Sequence, residues 1–138
     1  MMFARIPYHS KVTDVVVIYA TATKAFAWVL DQSADVLIQS TERKIISASP
    51  AFFQRYQVSS PIQFEKLEPF IKIEKGTVAS CTVDGETIKG LVTGTTKKGI
   101  ALMTEHSKYT LPFYYLLTPI KALELPESLK EWSAISNS

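Results

Sequence analysis

Apolar and polar positions alternate in short runs along this 138-residue chain, with polar turn residues between the runs. Strict alternation over a few residues is the pattern of half-buried β-strands. The most strand-like run, Asp14 to Tyr19, is β-branched and apolar on both faces. Such residues lose rotamer freedom in a helix and pack well in a sheet. The pattern therefore predicts a mainly β protein.

The C-terminal half alternates strands with turns. Asp84-Gly85 is a strong hairpin signal, because a type I′ turn needs positive φ at both central residues. Gly90 lies in mid-strand, which predicts a bulge or a close approach of two backbones. Pro112 ends a strand because proline cannot donate to a ladder. The predicted elements are strands at 77–83, 86–93, 100–103 and 109–111, a buried turn at 113–117, and a closing strand formed by Ile120, Ala122 and Leu123.

The N-terminal half predicts more strands and two short helices. Ser49 is placed to cap a helix with Pro50 at its first position, running to about Gln57. Ser60 and Gln63 form a capping-box pattern for a second helix that ends before Pro69. The other predicted elements are an irregular arm or edge strand at 1–12 and strands at 13–20, 24–30, 35–40 and 44–48.

The order of the C-terminal elements resembles a known fold family. The stretches GTVASCTVDGETIKGLV, KKGIALM and YTLPFYYLLTPI resemble the Tudor and KOW-type members of the SH3-like barrels. The resemblance covers Gly76 to Ile120 and rests on a glycine before the first strand, a glycine that ends the second, and a closing apolar turn. It implies a small antiparallel barrel that binds rather than catalyses. Such barrels bind nucleic acid, proline-rich or modified peptides, or ribosome and polymerase surfaces.

An internal match suggests that this unit occurs twice. At an offset of 74 residues, Thr21 to Leu37 lies over Thr95 to Leu111 with five identities in seventeen positions, where average composition gives roughly one. We therefore expect two tandem SH3-like small antiparallel barrels with short connecting helices. The alternatives are a chance likeness of two amphipathic hairpins, and one larger β-sandwich or barrel. The expected division is an N-terminal barrel at 1–58, a helical connector at 59–69, a barrel at 70–124, and a short helix with a frayed tail at 125–138.

Composition fits one compact domain or two very small ones, with 46% hydrophobic and 20% charged residues. The single Cys81 excludes an internal disulfide framework and is consistent with a reducing compartment. No apolar run approaches the roughly 18 residues of a membrane span, and the N-terminus lacks the apolar centre of a secretory signal. The sequence thus predicts a cytoplasmic protein without a membrane partner.

Residue types that carry chemistry are sparse. His9 and His106 have no catalytic partner nearby in sequence, and Cys81 is predicted to face inward from a strand. A structural zinc site usually needs four protein ligands, and neither the P-loop nor the dinucleotide pattern is present. The sequence predicts no enzyme, no metal and no cofactor. One alternative is a subunit that completes an active site only across an oligomer interface, and the oligomeric state stays open.

Net charge permits nucleic-acid binding without requiring it. The net charge is +2 and the pI is about 8.6, whereas dedicated binders usually exceed about 9. Lysines contact phosphate and an exposed tyrosine can stack on a base, so basic turns are the candidate surface. Five residues of the C-terminal half are expected to converge on one rim, and three basic residues of the first half to add to it: Lys89, Lys97, Lys98, Lys108 and Tyr109, with Lys24, Arg43 and Lys44.

These observations predict a non-catalytic binding module. The first hypothesis is a nucleic-acid-binding or transcription- or translation-associated regulatory protein that uses the basic turns. The second is a protein-interaction or assembly module, which would use an exposed sheet edge or an aromatic rim. The rim would be drawn from Tyr109, Phe113, Tyr114 and Tyr115, of which Phe113 and one of the two neighbouring tyrosines are expected to fill the core instead. The alternative to both is that the turn lysines only keep the protein soluble.

Overall fold

The structure is a computed structural model that describes residues 2–60 and 62–121. It contains two five-stranded antiparallel sheets joined by short helical segments, which confirms the predicted mainly β fold. The chain divides into two compact units, Met1–Ile71 and Lys72–Ser138, with one sheet in each. The helix predicted within 125–138, and the strand residues Ala122 and Leu123, lie outside the described residues.

The first sheet has the order β4-β3-β2-β1-β5, so the last strand of the unit returns to pair with the first. Neighbouring strands β1 to β4 follow one another along the chain, as in a meander. The strands are β1 (Met2–Tyr8), β2 (Lys11–Ala20), β3 (Ala25–Leu30), β4 (Ile45–Ala48) and β5 (Gln57–Val58).

The N-terminal segment is an inner strand of this sheet, so the predicted irregular arm or edge strand is wrong. β1 lies between β2 and β5 and turns into β2 through His9 and Ser10, whose φ angles are 48° and 66°. Two positive φ angles are the signature of a type I′ turn. This turn could not be predicted from the sequence, because neither residue is a glycine. Pro7 is tolerated in β1 because β5 pairs only with the beginning of that strand.

Phe3, Val16 and Trp28 are buried on one face of the first sheet, and the other face carries a second buried cluster. Helix α2 (Pro50–Arg55) packs on that face through Phe53, which is fully buried. Ser49 caps α2 by accepting the Phe52 N–H at 3.3 Å, with Pro50 at the first position as predicted. The buried cluster consists of Ala4, Ile6, Val15, Ala25, Ala27, Val29 and Phe53.

The segment predicted as a strand at 35–40 is a helix. Helix α1 spans Ala34–Gln39, and its cap Ser33 accepts the Val36 N–H at 3.4 Å. Asp35 lies in the first turn, where a negative charge is favourable. A short apolar run does not separate strand from helix by periodicity alone, so the cap was the deciding signal.

The second predicted short helix is observed in two parts. A 3₁₀ helix spans Ile62–Leu67, and α3 continues it over Glu68–Ile71. Pro69 does not end the helical stretch, because it lies in the first turn of α3. A residue there has no intrahelical partner for its N–H, so proline is tolerated. Leu67 is fully buried, and both segments belong to the first unit.

The second sheet has the order β10-β6-β7-β8-β9. Its last strand begins earlier than predicted, and the Ile120 N–H then donates to the Val78 carbonyl at 2.9 Å. The predicted buried turn is present, because Tyr115 donates to the Pro112 carbonyl at 3.1 Å and Leu117 is buried. The strands are β6 (Val78–Val83), β7 (Glu86–Thr96), β8 (Gly99–Met103), β9 (Lys108–Leu111) and β10 (Thr118–Pro119).

Two glycine predictions are confirmed in the second sheet. Asp84 and Gly85 have φ angles of 51° and 80°, as the type I′ turn requires. A Cβ on Gly90 would overlap the main-chain carbonyl of Met103, so two backbones do approach closely there. The bulge of β7 lies elsewhere, at Thr93.

Both sheets have the same connectivity, and their landmarks are 75 residues apart. The hairpin turns are at His9-Ser10 and Asp84-Gly85, and the strand bulges lie at Ile18 and Thr93. The sequence match at offset 74 is therefore one residue out of the structural register. A one-residue slip exchanges the two faces of a strand, so its identities do not join equivalent positions.

Candidate functional site

An open cleft of about 860 Å³ lies in the first unit. Its volume falls in the range of roughly 300–1,000 Å³ that is usual for ligand sites. Three segments line it: Lys11–Asp14 at the start of β2, Leu30–Asp35 between β3 and α1, and Phe64–Lys66 of the 3₁₀ helix. The cleft is thus assembled from parts of the chain that are distant in sequence.

The connection between β3 and β4 forms one wall of this cleft. It runs from Asp31 to Lys44 and contains α1, whereas the equivalent connection of the second sheet is only Thr104 to Ser107. α1 contacts the 3₁₀ helix, and Lys66 Nζ lies 3.2 Å from Asp35 Oδ1 across this contact. The cleft exists because the first unit has this longer connection.

The cleft combines an apolar floor with a polar rim. Leu30, Ala34 and Phe64 are buried at 4%, 6% and 4% exposure. Val12, by contrast, is 65% exposed, which is unusual for a valine in a strand. A ligand that covers Val12 would remove apolar surface from water and gain hydrophobic free energy.

The rim is more acidic than basic. Its charged side chains are four carboxylates and two lysines: Asp14, Asp31, Asp35, Glu65, Lys11 and Lys66. Arg5 and Lys44, from outside the lining, pair with two of the carboxylates at 2.9 and 2.7 Å. Exposed pairs of this kind contribute little to stability, so a ligand cation can replace the present partner at little cost.

The pair between Lys44 and Asp31 has an electrostatic consequence. The Asp31 carboxylate accepts a hydrogen bond from Lys44, and this bond together with the negative charge raises the pKa of Lys44 above its ordinary value of 10.5. Asp31 thus holds a cation at this rim.

The predicted basic residues of the second unit do not converge on one rim. Lys97 and Lys98 are exposed in the turn between β7 and β8, while Lys108 begins β9 at the other end of β8. Lys89 is eight residues before Lys97 along β7, which is about 26 Å at 3.3 Å per residue. Tyr109 is half-buried and, as the neighbour of Lys108 in a strand, faces the opposite side of the sheet.

The predicted basic residues of the first unit are also separated. Arg43 is 5% exposed, with its guanidinium 5.3 Å from the Trp28 ring, so it is not part of an exposed basic surface. Lys24 lies at the turn between β2 and β3 and stands 5.2 Å over the Phe26 ring. Lys44 is at the opposite end of β3. The sequence placed these residues together because it had no information on strand ends.

The predicted aromatic rim is reduced to one exposed ring. Tyr114 is 44% exposed and contacts Tyr115, with ring centroids 4.6 Å apart and the ring planes tilted by 37°. Phe113 is buried at 6% exposure, which makes it a core residue.

The residues with reactive side chains lie at unrelated positions. His106 is exposed in a turn, 3.7 Å from Glu105, and His9 lies against Tyr8 in the first hairpin. Cys81 is buried on β6, facing the core as predicted. Within residues 2–60 and 62–121, no three side chains of His, Cys, Asp or Glu gather in a way that could hold a metal ion.

The helices of the described ranges have six residues at most, and none has the long apolar stretch needed for a membrane crossing. Comparison of the chain with known protein families, curated proteins and solved structures finds no match.

Sequence reasoning missed the cleft for two reasons. Its three segments meet only in the folded unit, and its wall, α1, was predicted as a strand. One local signal was present: Ser33 precedes Asp35 and a short apolar run, which is the start pattern of a helix.

Proposed function

We propose that the protein is a non-catalytic binding module whose partner is another protein, held by an exposed segment at the cleft of the first unit. The observation that carries the proposal is the cleft itself. It offers an apolar floor of Leu30, Ala34 and Phe64 beside a rim with four carboxylates. A partner segment with apolar and basic side chains is complementary to both.

The charges of the cleft favour such a segment over a phosphate backbone. Nucleic-acid sites neutralise phosphates with clustered lysines and arginines. Here Asp14, Asp31 and Asp35 already hold the cations that are near them. A phosphate would have to compete with these carboxylates for the cations around the cleft.

We infer an SH3-like barrel for each unit. The support is the strand order: four strands follow as a meander, and the fifth strand returns to the first, after α2 in the first unit and after the turn at 112–115 in the second. This is the arrangement implied by the resemblance of the C-terminal half to Tudor and KOW-type barrels. Barrels of that group commonly bind, which supports a binding role through the fold alone.

Nucleic-acid binding is the second candidate, and it concerns the second unit. Lys97 and Lys98 are both exposed in a two-residue turn, and neither forms an ion pair within the described part of the chain. Two adjacent cations at a turn can contact a phosphate. The separation of Lys89 and Lys108 from this turn makes the contact area small.

Selection of random peptides by phage display on the intact protein tests the first candidate. We expect the selected peptides to contain lysine or arginine beside apolar residues. The double variant Asp31→Asn/Asp35→Asn should weaken their binding roughly fivefold, because each exposed charge contributes up to about 1 kcal/mol. The matched control is Lys97→Ala/Lys98→Ala, which should bind them unchanged.

Titration of single- and double-stranded DNA and RNA at two salt concentrations tests the second candidate. Affinity that falls steeply with salt, and is lost in the Lys89→Ala/Lys97→Ala/Lys98→Ala variant, would establish it by counterion release. The first candidate fails if no peptide is enriched, or if enriched peptides bind both double variants as the unaltered protein does.

A further inference from the structure

The start of β2 has an open edge inside the cleft. β1 pairs with β2 from Lys11 onward, but β3 pairs with it only from Asp14, which lies opposite Leu30. After Leu30 the chain leaves the sheet toward α1. The stretch from Lys11 to Thr13 therefore has one paired side and one unpaired side, and the whole stretch lines the cleft.

The peptide groups of Val12 point to the unpaired side. In antiparallel strands the N–H and C=O of successive residues face alternate sides. The Arg5 N–H donates to the Tyr56 carbonyl at 2.9 Å, so the peptide groups of Arg5 face β5. The peptide groups of its partner Asp14 therefore face away from β1. Val12, two residues before Asp14, faces the same way. No backbone hydrogen bond outside the strand ladders involves Val12 among the described residues.

We propose that the partner segment binds by strand addition, as an extended strand antiparallel to β2 that exchanges two main-chain hydrogen bonds with Val12. The proposal rests on the proposed function and specifies how the cleft holds its partner. The added strand would continue the line of β3 beyond Leu30, about 4.8 Å from β2. Strand addition to an unpaired sheet edge is a general mode of peptide recognition.

The side chains around this edge define the occupant. Successive side chains of an extended strand face opposite sides, so one set would cover the exposed Val12. The other set would reach the carboxylates of Asp31 and Asp35, which are 25% and 66% exposed. The structure therefore fits an extended segment in which apolar residues alternate with lysine or arginine.

The second sheet provides a matched comparison. Thr87 is equivalent to Val12 by the 75-residue register, and it also follows a two-residue hairpin turn. β8 pairs with β7 only from Leu91, so the edge at Thr87 is open as well. The short connection from Thr104 to Ser107 has no helix to wall this edge. Among the described residues, the same main-chain geometry is thus present with and without a helical wall.

Proline at these two positions is the first test, with the phage-selected peptides as probes. Val12→Pro removes the N–H that points into the cleft and leaves the ladder with β1 intact, as Pro7 already does on the opposite strand. We expect binding to weaken about tenfold, because one main-chain hydrogen bond is lost. Thr87→Pro should leave binding unchanged. Circular dichroism of both variants checks that the sheets are retained.

N-methylation of the selected peptides is the second test, and it leaves the protein unaltered. Methylation of the one N–H that donates to the Val12 carbonyl should weaken binding about tenfold, whereas methylation of either neighbouring N–H, which faces away from β2, should not. Equal effects at all positions, or none, overturn strand addition, and this scan decides if Val12→Pro fails to fold. If Asp31→Asn/Asp35→Asn still weakens binding in that case, the proposed function stands and strand addition fails. If no peptide binds at the cleft, both fail.

Discussion

Replacing Gly90 by alanine should destabilise the second unit because the added methyl group has no room. Gly90 lies in the middle of β7, where a Cβ would come within 3.0 Å of the carbonyl group of Met103. That carbonyl belongs to the backbone of β8, which pairs with β7 on one side and with β9 on the other. It cannot move away without disturbing two ladders. Gly94, four residues along the same strand, has open space at the corresponding position.

The expected difference follows from two opposing effects. Overpacking that shifts a backbone costs about 1–3 kcal/mol. Replacing glycine by alanine also restricts the unfolded chain, which stabilises the protein by about 0.4–1 kcal/mol where the site is open. Gly90→Ala should therefore lower the free energy of unfolding by about 1–2 kcal/mol, whereas Gly94→Ala should raise it by a few tenths of a kcal/mol. The two variants should differ by about 2 kcal/mol in the free energy of unfolding.

Urea unfolding followed by far-ultraviolet circular dichroism measures this difference. With a denaturant dependence of about 1–3 kcal/mol per molar, the midpoints of the two variants should differ by about 1 M. Gly90→Ala is the test and Gly94→Ala is its matched control, because both change a glycine to alanine in β7. Equal midpoints would refute the close approach of β7 and β8.

Two further predictions concern the first unit. Phe53→Ala should lower the free energy of unfolding by about 3–5 kcal/mol, because the ring is fully buried in the core. Urea unfolding monitored by tryptophan fluorescence measures this loss. The control is Phe52→Ala, which removes a half-buried ring, and a loss for Phe53→Ala no larger than that of the control would contradict the packing. The pKa of Lys44, measured by NMR, should lie above 10.5 and fall toward that value in Asp31→Asn. Because the pKa of Lys44 is higher in the folded state than in the unfolded state, the stabilisation is complete at pH values below the unfolded-state pKa. It is lost as the pH rises through the folded-state pKa, so stability changes only at alkaline pH. An unchanged pKa in Asp31→Asn would contradict the hydrogen bond.

Strands of the second sheet could be predicted from sequence because their signals are local. The turn at Asp84-Gly85 requires positive φ angles that its residue types supply, and the short strand before Pro112 ends where a donor is missing. The turn at His9-Ser10 has the same geometry without a glycine. A backbone conformation that is fixed by strand pairing on both sides leaves little signal in residue type, which is why β1 was predicted as an irregular arm or edge strand.

The site could not be predicted because it depends on register and on strand ends. The sequence shows that Lys89, Lys97 and Lys98 are close in the chain, but their separation follows from a β7 strand that continues to Thr96. Arg43 was predicted as a surface cation because of its type, while its burial over Trp28 is a tertiary contact. The five identities at offset 74 are also a chance match, because equivalent positions of the two sheets are 75 residues apart.

The two sheets are alike in connectivity and differ in one connection, and this difference locates the site. Both present an unpaired strand edge after the first hairpin, at Val12 and at Thr87. Only the first has α1 and the 3₁₀ helix beside that edge, with the carboxylates that their segments carry. An open edge alone is a liability that invites unspecific pairing. Under the proposed strand addition, the wall and the charged rim would restrict which segment can enter, so the longer β3–β4 connection would make a general property of the sheet selective.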